Sequence, residues 1–238
     1  MKIIIVIPTL NEEKSIKKLI GKLKNYLKKT IVLFIDDKSS DNTQHEILKF
    51  KKKFKNIRFI FKHNDFGIGN AIKDGIKYAI IKNFDICITM DADGTHHPKK
   101  IIKMIEVIKS NKYDIVSTNR FLHKNSINKW SIYRTFLTKL RYYLVRILLN
   151  TRLDSSGNFR AYNLKIIKKK HLFLSKNKSY FYLIESLFYL EKLKYRIYEI
   201  PIILLPRTFD KSKMKFSHII SSLVALLKLR FLKSKQKY

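Results

Sequence analysis

The stretch Phe84-Asp85-Ile86-Cys87-Ile88-Thr89-Met90-Asp91-Ala92-Asp93 joins a short hydrophobic run to two carboxylates that stand one residue apart. An apolar, β-branched run of this length is typical of a buried strand. A glycine and Pro98 follow within a few residues, so we expect the chain to turn where the acids stand. Ligands of open α/β sheets bind beyond the carboxyl ends of the strands. The stretch therefore predicts a buried strand over residues 84–90 that presents Asp91 and Asp93 at the ligand-binding edge.

Asp91 and Asp93 form a candidate metal site. Two carboxylates this close repel each other unless a cation or hydrogen-bond donors lie between them. Carboxylate oxygens suit Mg²⁺ or Mn²⁺, which take one or two carboxylates and complete their shell with substrate phosphates. Because Asp, Gly, Thr and Pro are also common before a helix, the pattern alone leaves open a loop that only caps the next helix.

The length of 238 residues is enough for one sizeable α/β domain. The formal net charge of +33 favours anionic partners, namely nucleic acid, an acidic membrane surface or phosphorylated substrates. The single cysteine, Cys87, lies in an apolar run, so a disulfide framework is excluded and a reducing cytoplasm is the simpler setting. No apolar stretch approaches the roughly 20 residues of a spanning helix, and we expect no transmembrane segment.

Hydrophobic runs typical of strands alternate with segments of helical periodicity through the first half of the chain. The predicted strands lie at residues 2–7, 31–35, 57–61, 84–90 and 113–117. This alternation predicts a doubly wound, mostly parallel sheet. The second half predicts helices at 130–149 and 180–190, a polar loop at 154–160, and an extended segment at 195–205 interrupted by Pro201. We expect one domain over residues 1–215 and an amphipathic, basic tail over 216–238.

Polar loops follow the first, second and fourth predicted strands, at residues 8–12, 36–43 and 91–93. Because the carboxyl ends of neighbouring parallel strands meet at one edge, we expect Glu12, Asp37 and the Asp91/Asp93 pair to converge there. Such a set offers hydrogen-bonding groups for a nucleoside and carboxylates that could hold a metal at its diphosphate.

Several polar residues near these loops have a structural interpretation. Asn11 is a plausible helix cap, and Asp36 and Asp41 fit helix capping as well. Gly67 and Gly69 are a weak dinucleotide signal without a third glycine at the expected place, and are more typical of a tight turn. His63, His96 and His97 lack zinc spacing and are more typical of loop residues than of ligands.

Four motifs in order resemble those of the family 2 glycosyltransferases of the GT-A fold. They are Pro8-Thr9-Leu10-Asn11-Glu12, Asp36-Asp37-x-Ser39-x-Asp41-x-Thr43, Gly67-x-Gly69-x-Ala71 and Asp91-Ala92-Asp93. The resemblance runs from residue 2 to about residue 215. Further matches resemble the branch of dolichol-phosphate mannosyltransferases and related polyprenyl-phosphate glycosyltransferases. These matches are His96-His97-Pro98, Ser117-Thr118-Asn119-Arg120, Gly157-x-x-Arg160 and Arg207-x-x-x-x-Ser212-Lys213.

The resemblance implies an inverting transfer of a sugar, with mannose from GDP-mannose as first choice, to a polyprenyl (dolichyl or undecaprenyl) phosphate with Mg²⁺ or Mn²⁺. It implies nucleotide-sugar contacts by Pro8, Leu10, Glu12, Asp36, Asp37, Asp91, Ala92, Asp93, Thr95, Arg207 and Lys213. Among these, Asp91 and Asp93 would bind the metal, and Arg207 and Lys213 would close over the diphosphate as catalytic residues. Arg120, Arg134 and Thr138 match positions for the acceptor's phosphate. The sequence departs from the family pattern at Thr95, where Gln or Ser is frequent, and at Asp210, where Gly is usual.

The identity of the nucleophile separates two enzyme hypotheses. A hydroxyl acceptor needs a general base, whereas a phosphate acceptor is already an anion and needs only cations to place it. Glu185 is the sole downstream carboxylate that we consider as a base, and it lies in a predicted helix. This scarcity favours a phosphate, with sugar transfer to a hydroxyl of a surface glycan or lipid as the alternative. A nucleic-acid-binding protein is a remote alternative that rests on charge alone, since no specific nucleic-acid motif is present.

The segment 130–149 and the tail carry apolar residues flanked by Lys and Arg. Such helices are typical of proteins that lie on an anionic membrane surface. We therefore expect a peripheral protein on the cytoplasmic face of a membrane, with a separate membrane subunit as the other means of attachment. The competing interpretation is a helix that covers the sheet and keeps its charges in water.

Overall fold

The computed structural model describes residues 1–24, 26, 30–127, 130–205 and 216–232. The strands are β1 (Ile3–Thr9), β2 (Ile31–Asp36), β3 (Ile57–Phe61), β4 (Ile86–Thr89), β5 (Ile115–Asn119), β6 (Arg160–Asn163) and β7 (Ile197–Pro201). The helices are α1 (Glu13–Leu23), α2 (Thr43–Lys53), α3 (Ile68–Ile81), α4 (Lys100–Lys109), α5 (Ile132–Leu149), α6 (Tyr182–Lys192) and α7 (Phe216–Leu232), with a short 3-10 helix at Lys169–Phe173.

The strands form one sheet in the order β3-β2-β1-β4-β6-β5-β7. The pairs β1–β2, β1–β4, β2–β3 and β5–β7 are parallel, whereas β6 is antiparallel to both β4 and β5. The prediction of a doubly wound, mostly parallel sheet is therefore confirmed. In this order β1 lies between β2 and β4, so the loops after these three strands leave the same edge side by side.

Successive side chains of β1 point to opposite faces of the sheet, as the pleat of a strand requires. Ile5 and Ile7 pack with the buried faces of α1, α2 and α4. Ile4 and Val6 pack with α3, the 3-10 helix and α6 on the other face. At Gly75 of α3 a Cβ atom would collide with the Val6 side chain, so this helix lies directly on the central strand.

Helices α5, α6 and α7 form a third cluster beside the main sheet layers. Val145 and Leu149 of α5 pack with Phe188 of α6 and with Leu226 and Leu229 of α7. None of the described helices combines the length and the apolar character needed to cross a bilayer. The prediction that residues 216–238 form a separate tail is not tested by this packing and stays a prediction.

The structure corrects several predicted boundaries. The fourth strand occupies Ile86–Thr89 rather than residues 84–90, and the extended segment 195–205 is a strand only from Ile197 to Pro201. The strand β6 was missed, because the segment around Arg160 was assigned to a polar loop. Its sequence Arg-Ala-Tyr-Asn has no β-branched residue, yet all four residues are buried between β4 and β5. Tertiary pairing overrides weak local propensity here.

Candidate active site

The loops after β1 and β2 are joined by hydrogen bonds. The Asp37 N–H donates to the Thr9 carbonyl oxygen at 2.9 Å. The Asn11 side-chain oxygen accepts from the Ser40 N–H at 2.8 Å, and the Asn11 N–H donates to Ser39 Oγ at 2.8 Å. Asn11 has a φ of 52° and lies one residue before the N-cap position of α1. The prediction that Asn11 caps this helix is therefore wrong, because its side chain joins the two loops instead.

The starts of α1 and α2 meet at the same edge. The Glu12 N–H donates to Thr43 Oγ1 at 2.7 Å, and the Glu12 side chain is buried. Asp41 accepts from the N–H of Thr43 at 2.9 Å and from the N–H of Glu13 at 3.2 Å. Asp41 thus satisfies an otherwise unpaired N–H at the start of each helix, which confirms its predicted capping role.

Asp36 lies at the end of β2 and has 0% exposure. Its carboxylate accepts from Gln44 Nε2 at 2.7 Å, from the Ser39 N–H at 3.0 Å and from Thr9 Oγ1 at 3.2 Å. These bonds fix the loop in which Asp37 stands. Because Asp36 has no exposed surface for a ligand, the geometry gives it a supporting role rather than the predicted nucleotide contact.

Asp37 is held against the start of α3. Its Oδ2 accepts from the Gly67 N–H at 2.8 Å, while its buried Oδ1 has no hydrogen-bond partner among the described residues. Burial raises the pKa of Asp37. Gly67 has a φ of 114°, and a Cβ there would collide with the Lys178 carbonyl oxygen, so the predicted tight turn requires glycine. A buried acceptor oxygen without a protein donor is suited to an N–H or O–H group of a ligand.

The turn after β4 is shaped by its own side chains. Asp93 Oδ1 accepts from the Thr95 N–H at 3.0 Å and from Thr95 Oγ1 at 2.7 Å. The Asp91 N–H donates to His96 Nδ1 at 3.2 Å, and the buried His96 ring stacks on Phe159 with a centroid distance of 5.0 Å. His96 therefore fixes the backbone of the turn, in agreement with its predicted role as a loop residue.

Asn158 connects this turn to a distant part of the chain. Its Nδ2 donates to Asp91 Oδ1 at 2.9 Å, and its carbonyl oxygen accepts from Thr89 Oγ1 at 2.5 Å. Asn158 is buried, so these bonds hold it in one position. We infer that Asn158 orients the Asp91 carboxylate.

Asp91 and Asp93 fit a divalent cation of the magnesium type. The Asp91 side chain is 33% exposed at the sheet edge, and both aspartates lie within one turn. The described residues contain no group of three or more His, Cys, Asp or Glu that would hold a metal by protein ligands alone. Two carboxylates match Mg²⁺ or Mn²⁺, which take further oxygens from substrate phosphates, better than zinc with its four-ligand structural sites.

A second polar cluster surrounds Arg120, at the end of β5. Arg120 donates from Nε to Asp154 Oδ2 at 2.8 Å and from its N–H to the same oxygen at 3.2 Å. The Asp154 N–H donates to Glu199 Oε1 at 2.8 Å, and Asn119 Nδ2 donates to Glu199 Oε2 at 2.9 Å. Burial works to raise the pKa of Asp154, but Arg120 and the hydrogen bonds outweigh it and hold this pKa below its usual range. Burial raises the pKa of Glu199.

One face of α5 adds to this cluster. Arg134, Thr138 and Arg141 follow one another at intervals of four and three residues, so they share a face of the helix. Arg134 is exposed and stacks on the Trp130 ring at 3.8 Å. Burial, and then the charge of Arg120, lower the pKa of Arg141 to about 10. The helix face therefore continues the positive charge of Arg120.

Arg160 and Glu185 are structural residues in this arrangement. Arg160 is fully buried and donates to the Ser155 carbonyl oxygen at 2.6 Å and to the Leu183 carbonyl oxygen at 2.8 Å. It thereby anchors the loop 154–158 to α6. Glu185 accepts hydrogen bonds from Ser175 Oγ and from the Tyr189 hydroxyl. This agrees with the interpretation of Glu185 as part of a structural helix rather than as a base.

The remaining predicted residues have the following positions. Pro8 is half-buried within β1, Leu10 is exposed in the next loop, and Ala92 is buried between the two aspartates. Arg207 and Lys213 lie outside the described residues. Their predicted place over the diphosphate stays a prediction.

Sequence reasoning did not single out Arg141, Asp154, Asn158 or Glu199 as site residues. Arg141 could have been found, because it repeats the spacing of Arg134 and Thr138 on one helix face. Asp154 and Asn158 belong to a polar loop whose composition was unusual, but nothing local indicates their partners. Asp91 is 67 residues from Asn158, and Arg120 is 34 residues from Asp154.

Comparison with known proteins gives the family of this chain. The family model described as Glycosyl transferase family 2 matches residues 4–170. The undecaprenyl-phosphate mannosyltransferase of Micrococcus luteus is 26% identical over 215 residues, which is 90% of this chain and 88% of that protein. The polyprenol monophosphomannose synthase of Mycolicibacterium smegmatis is 23% identical over 220 residues, 91% of this chain and 82% of that protein.

Solved structures give the same fold. The glucosyl-3-phosphoglycerate synthase of Mycobacterium tuberculosis in complex with UDP has a TM-score of 0.69 and 16% identity, over 96% of this chain and 79% of that one. Its complex with Mn²⁺, UDP and glucosyl-3-phosphoglycerate has a TM-score of 0.64 over 98% and 79%. The seven-stranded sheet with its helices is therefore the GT-A fold, as the sequence motifs predicted. With the family model spanning well over half of its length, the chain belongs to glycosyl transferase family 2 and is a glycosyltransferase.

Proposed function

We propose that this glycosyltransferase moves a sugar, mannose in the first instance, from a nucleotide sugar to a polyprenyl phosphate, with inversion at the sugar carbon. The observation that carries the proposal is the division of polar residues between two regions. We call the loops after β1, β2 and β4 the acidic edge, and Arg120 with the Arg134–Thr138–Arg141 face of α5 the arginine face. The acidic edge suits a nucleotide and a metal, and the arginine face suits an anionic acceptor.

The donor site is assigned to the acidic edge. Asp37 has a buried acceptor oxygen for a base or ribose group, and Pro8, Leu10 and Glu12 line the neighbouring loop. Asp91 and Asp93 would hold Mg²⁺ or Mn²⁺, which supplies positive charge to the diphosphate that leaves. Asn158 and Thr95 orient the two carboxylates through the bonds described above. Arg207 and Lys213 are proposed to add positive charge to the same diphosphate.

The acceptor site is assigned to the arginine face. A phosphate monoester is an anion at neutral pH, so it attacks without a general base and needs only cations to position it. Guanidinium groups provide paired planar donors that match phosphate oxygens. The carboxylates around Arg120 are engaged in hydrogen bonds with Arg120, Asn119 and backbone N–H groups, so they support the arginine rather than act as a base.

The polyprenyl chain requires a membrane, and the outer side of α5 supports a peripheral attachment. This side forms an apolar stripe whose side chains are between 44% and 90% exposed. The stripe consists of Ile132, Tyr133, Phe136, Leu140, Tyr143 and Ile147. A second exposed set on α7 consists of Leu223, Val224, Leu227 and Phe231. The opposite sides of both helices pack with α6, so the exposed sets point away from it.

Charge near the apolar stripe favours an anionic membrane surface on the cytoplasmic side. Lys139 on α5 and Lys228 and Arg230 on α7 are exposed beside the apolar side chains. Basic residues next to an interfacial helix contribute roughly 1 kcal/mol each near anionic lipids. A separate membrane subunit is the competing means of attachment.

A donor and metal panel tests the proposed reaction. GDP-mannose, UDP-glucose and other labelled nucleotide sugars would be incubated with the enzyme and undecaprenyl phosphate in Mg²⁺ or in Mn²⁺. We expect transfer from GDP-mannose in at least one metal and none in EDTA. Transfer in EDTA at the full rate would refute the metal assignment, and absence of transfer from every nucleotide sugar would refute the reaction.

Vesicle flotation tests the membrane surface. The protein should float with anionic vesicles, less so as salt rises, and the Phe136→Ser/Ile147→Ser variant should bind several-fold more weakly. Ile81→Ser is the matched control, because Ile81 is 62% exposed on α3, away from the stripe. Equal loss of binding in the control, or no loss in the stripe variant, would favour attachment through another surface or subunit.

A further inference from the structure

Phe66 is a large apolar side chain that is exposed beside the acidic edge. It is 39% exposed and lies in the turn between β3 and α3. A single exposed phenylalanine is ordinary on a protein surface, so its exposure alone does not indicate a binding site. A site is indicated only if the backbone of the turn is fixed and the neighbouring groups can bind the same ligand.

The backbone on both sides of Phe66 is fixed by hydrogen bonds. The Asp65 carbonyl oxygen accepts from Asn70 Nδ2 at 3.1 Å, and the Gly67 N–H donates to Asp37 Oδ2 at 2.8 Å. Because both neighbours are held, the ring projects from an ordered turn. A ligand that packs against it therefore loses little affinity to the ordering of the turn.

Two separate contacts place Phe66 beside Asp37. Gly67, the residue after Phe66, donates its N–H to the Asp37 carboxylate. Lys38, the residue after Asp37, has its Nζ 5.6 Å from the centroid of the Phe66 ring, which is within the range of a cation–π contact. Lys38 has a φ of 66°, so the chain turns sharply directly after Asp37. An aromatic ring and a carboxylate therefore border the same part of the acidic edge.

The ring and the carboxylate together distinguish a nucleobase from a ribose as the group next to Asp37. The buried Asp37 Oδ1 has no hydrogen-bond partner in the part of the chain that the structure describes, and such an oxygen is costly unless a ligand supplies a donor. A ribose hydroxyl is such a donor, but a ribose has no flat face for the Phe66 ring. A nucleobase has both features, since its edge carries N–H groups and its face stacks on aromatic rings.

We propose that Phe66 stacks on the nucleobase of the donor while Asp37 Oδ1 accepts a hydrogen bond from an N–H at the edge of the same base. The proposal rests on the proposed function for the presence of a nucleotide, and it assigns to Phe66 a binding role that the sequence motifs did not indicate. A purine offers a larger face than a pyrimidine. The ring should therefore contribute more to the binding of a guanine nucleotide than to that of a uracil nucleotide.

Calorimetric titration of the full chain in Mn²⁺ tests this contact without turnover. The probes are GDP, UDP and inorganic pyrophosphate, which carries the diphosphate without a base. We expect Phe66→Ala to weaken the binding of GDP by about tenfold, the usual consequence of removing an aromatic ring from a base, and that of UDP by less. Binding of pyrophosphate should not change. Phe66→Tyr should bind all three probes as the wild type does, because it keeps the aromatic face.

Leu48→Ala is the matched control, because Leu48 is also 39% exposed but lies on α2. It should leave all three affinities at the wild-type level. The proposal would be overturned if Phe66→Ala kept wild-type affinity for the nucleotide that the wild type binds more tightly. An equal loss of pyrophosphate binding in Phe66→Ala, or an equal loss of nucleotide binding in Leu48→Ala, would overturn it as well.

Two further outcomes have a defined meaning. If Phe66→Ala does not fold, Phe66→Leu decides, because it keeps an apolar side chain without the flat face, and wild-type nucleotide affinity in it would overturn the role of Phe66. Absence of GDP and UDP binding by the wild type would refute the donor site of the proposed function itself.

Discussion

The acidic edge and the arginine face differ in how their residues come together. The acidic edge collects residues that directly follow three parallel strands, and each group stands within a few positions in the sequence. The arginine face collects the end of β5, one side of α5, the loop 154–158 and β7, with bonds that cross 34 to 80 residues. The residues that we propose for donor binding are therefore found in short sequence motifs, whereas the residues that we propose for acceptor binding come together only through tertiary contacts.

The loop 154–158 connects the two regions. Asn158 bonds to Asp91 of the acidic edge, and Asp154 bonds to Arg120 of the arginine face. Arg160 fixes the same loop to α6 through buried hydrogen bonds. If the two regions have the separate tasks that we propose, substitutions in the acidic edge should impair the use of the donor, and substitutions in the arginine face should impair the use of the acceptor. Substitutions in the loop 154–158 should impair both.

The largest effect is expected in the acidic edge. Asp91→Asn and Asp93→Asn should each lower kcat by about three orders of magnitude, since the positive charge at the leaving diphosphate would be lost. Transfer rates measured across a Mn²⁺ series check this, with circular dichroism to show an intact fold. Asp65→Asn is the control, because Asp65 is exposed and pairs only with Lys178 among the described residues. Near wild-type rates in both site variants would contradict the assignment.

The next largest effect concerns the support of the arginine face. Asp154→Asn should lower the free energy of unfolding at neutral pH by about 3 kcal/mol, as expected when a buried pair loses one charge. The Asp154 pKa is lower in the folded state, so its contribution is present above the unfolded value of about 3.9 and is lost as the pH falls through the folded value. The Tm difference between variant and wild type should therefore shrink on acidification.

That difference is measured by thermal unfolding from pH 7 down to pH 3. A difference that stays constant over this range would mean that the Asp154 charge does not contribute. In that case the ion pair with Arg120 would have no part in stability, and the arginine would be positioned by other contacts.

A smaller effect is expected where the loop meets the acidic edge. Asn158→Ala should weaken Mn²⁺ binding by about 10- to 100-fold, the usual cost of losing a residue that orients a metal ligand. Mn²⁺ titration followed by electron paramagnetic resonance measures this directly, apart from turnover. Unchanged Mn²⁺ affinity would show that Asp91 does not need this hydrogen bond.

The smallest effect that we predict is in the exposed part of the arginine face. Arg134→Lys should raise KM for the polyprenyl phosphate by about tenfold and leave donor KM and donor hydrolysis near wild type, because a Lys cannot reproduce the planar donors. Arg152→Lys, on an exposed residue beyond α5, is the matched control. Glu185→Gln should change little, and an inactive but folded Glu185→Gln beside a fully active Arg134→Lys would favour a hydroxyl acceptor.

The features that could be predicted from the sequence are those that depend on neighbouring residues rather than on tertiary contacts. The position of Asp91 and Asp93 directly after β4 was predictable, because a hydrophobic run that ends in acids is a local signal. Asp41 was predictable as a cap, because it stands just before the helix whose first N–H it accepts. The strand β6 was not, because its four residues have little strand propensity and are held by β4 and β5 on either side.

The sequence was less informative where a side chain has several possible partners. Asn11 was predicted to cap a helix by its type, but a positive φ directs it to the neighbouring loop. Asp36 was predicted from its motif to bind nucleotide, but its side chain is completely buried and accepts hydrogen bonds from the loop around Asp37. The partners of Asp154 and Asn158 depend on how the strands are ordered, which no short motif specifies.

A matched pair of acceptors tests whether the nucleophile is a phosphate placed by arginines. Undecaprenyl phosphate and undecaprenol differ only in the phosphate, and each would be given with the donor selected by the panel and the product analysed by mass spectrometry and NMR. We expect transfer to the phosphate alone, as a glycosyl phosphodiester with inverted anomeric configuration. Transfer to undecaprenol at a comparable rate, or a product with retained configuration, would contradict this.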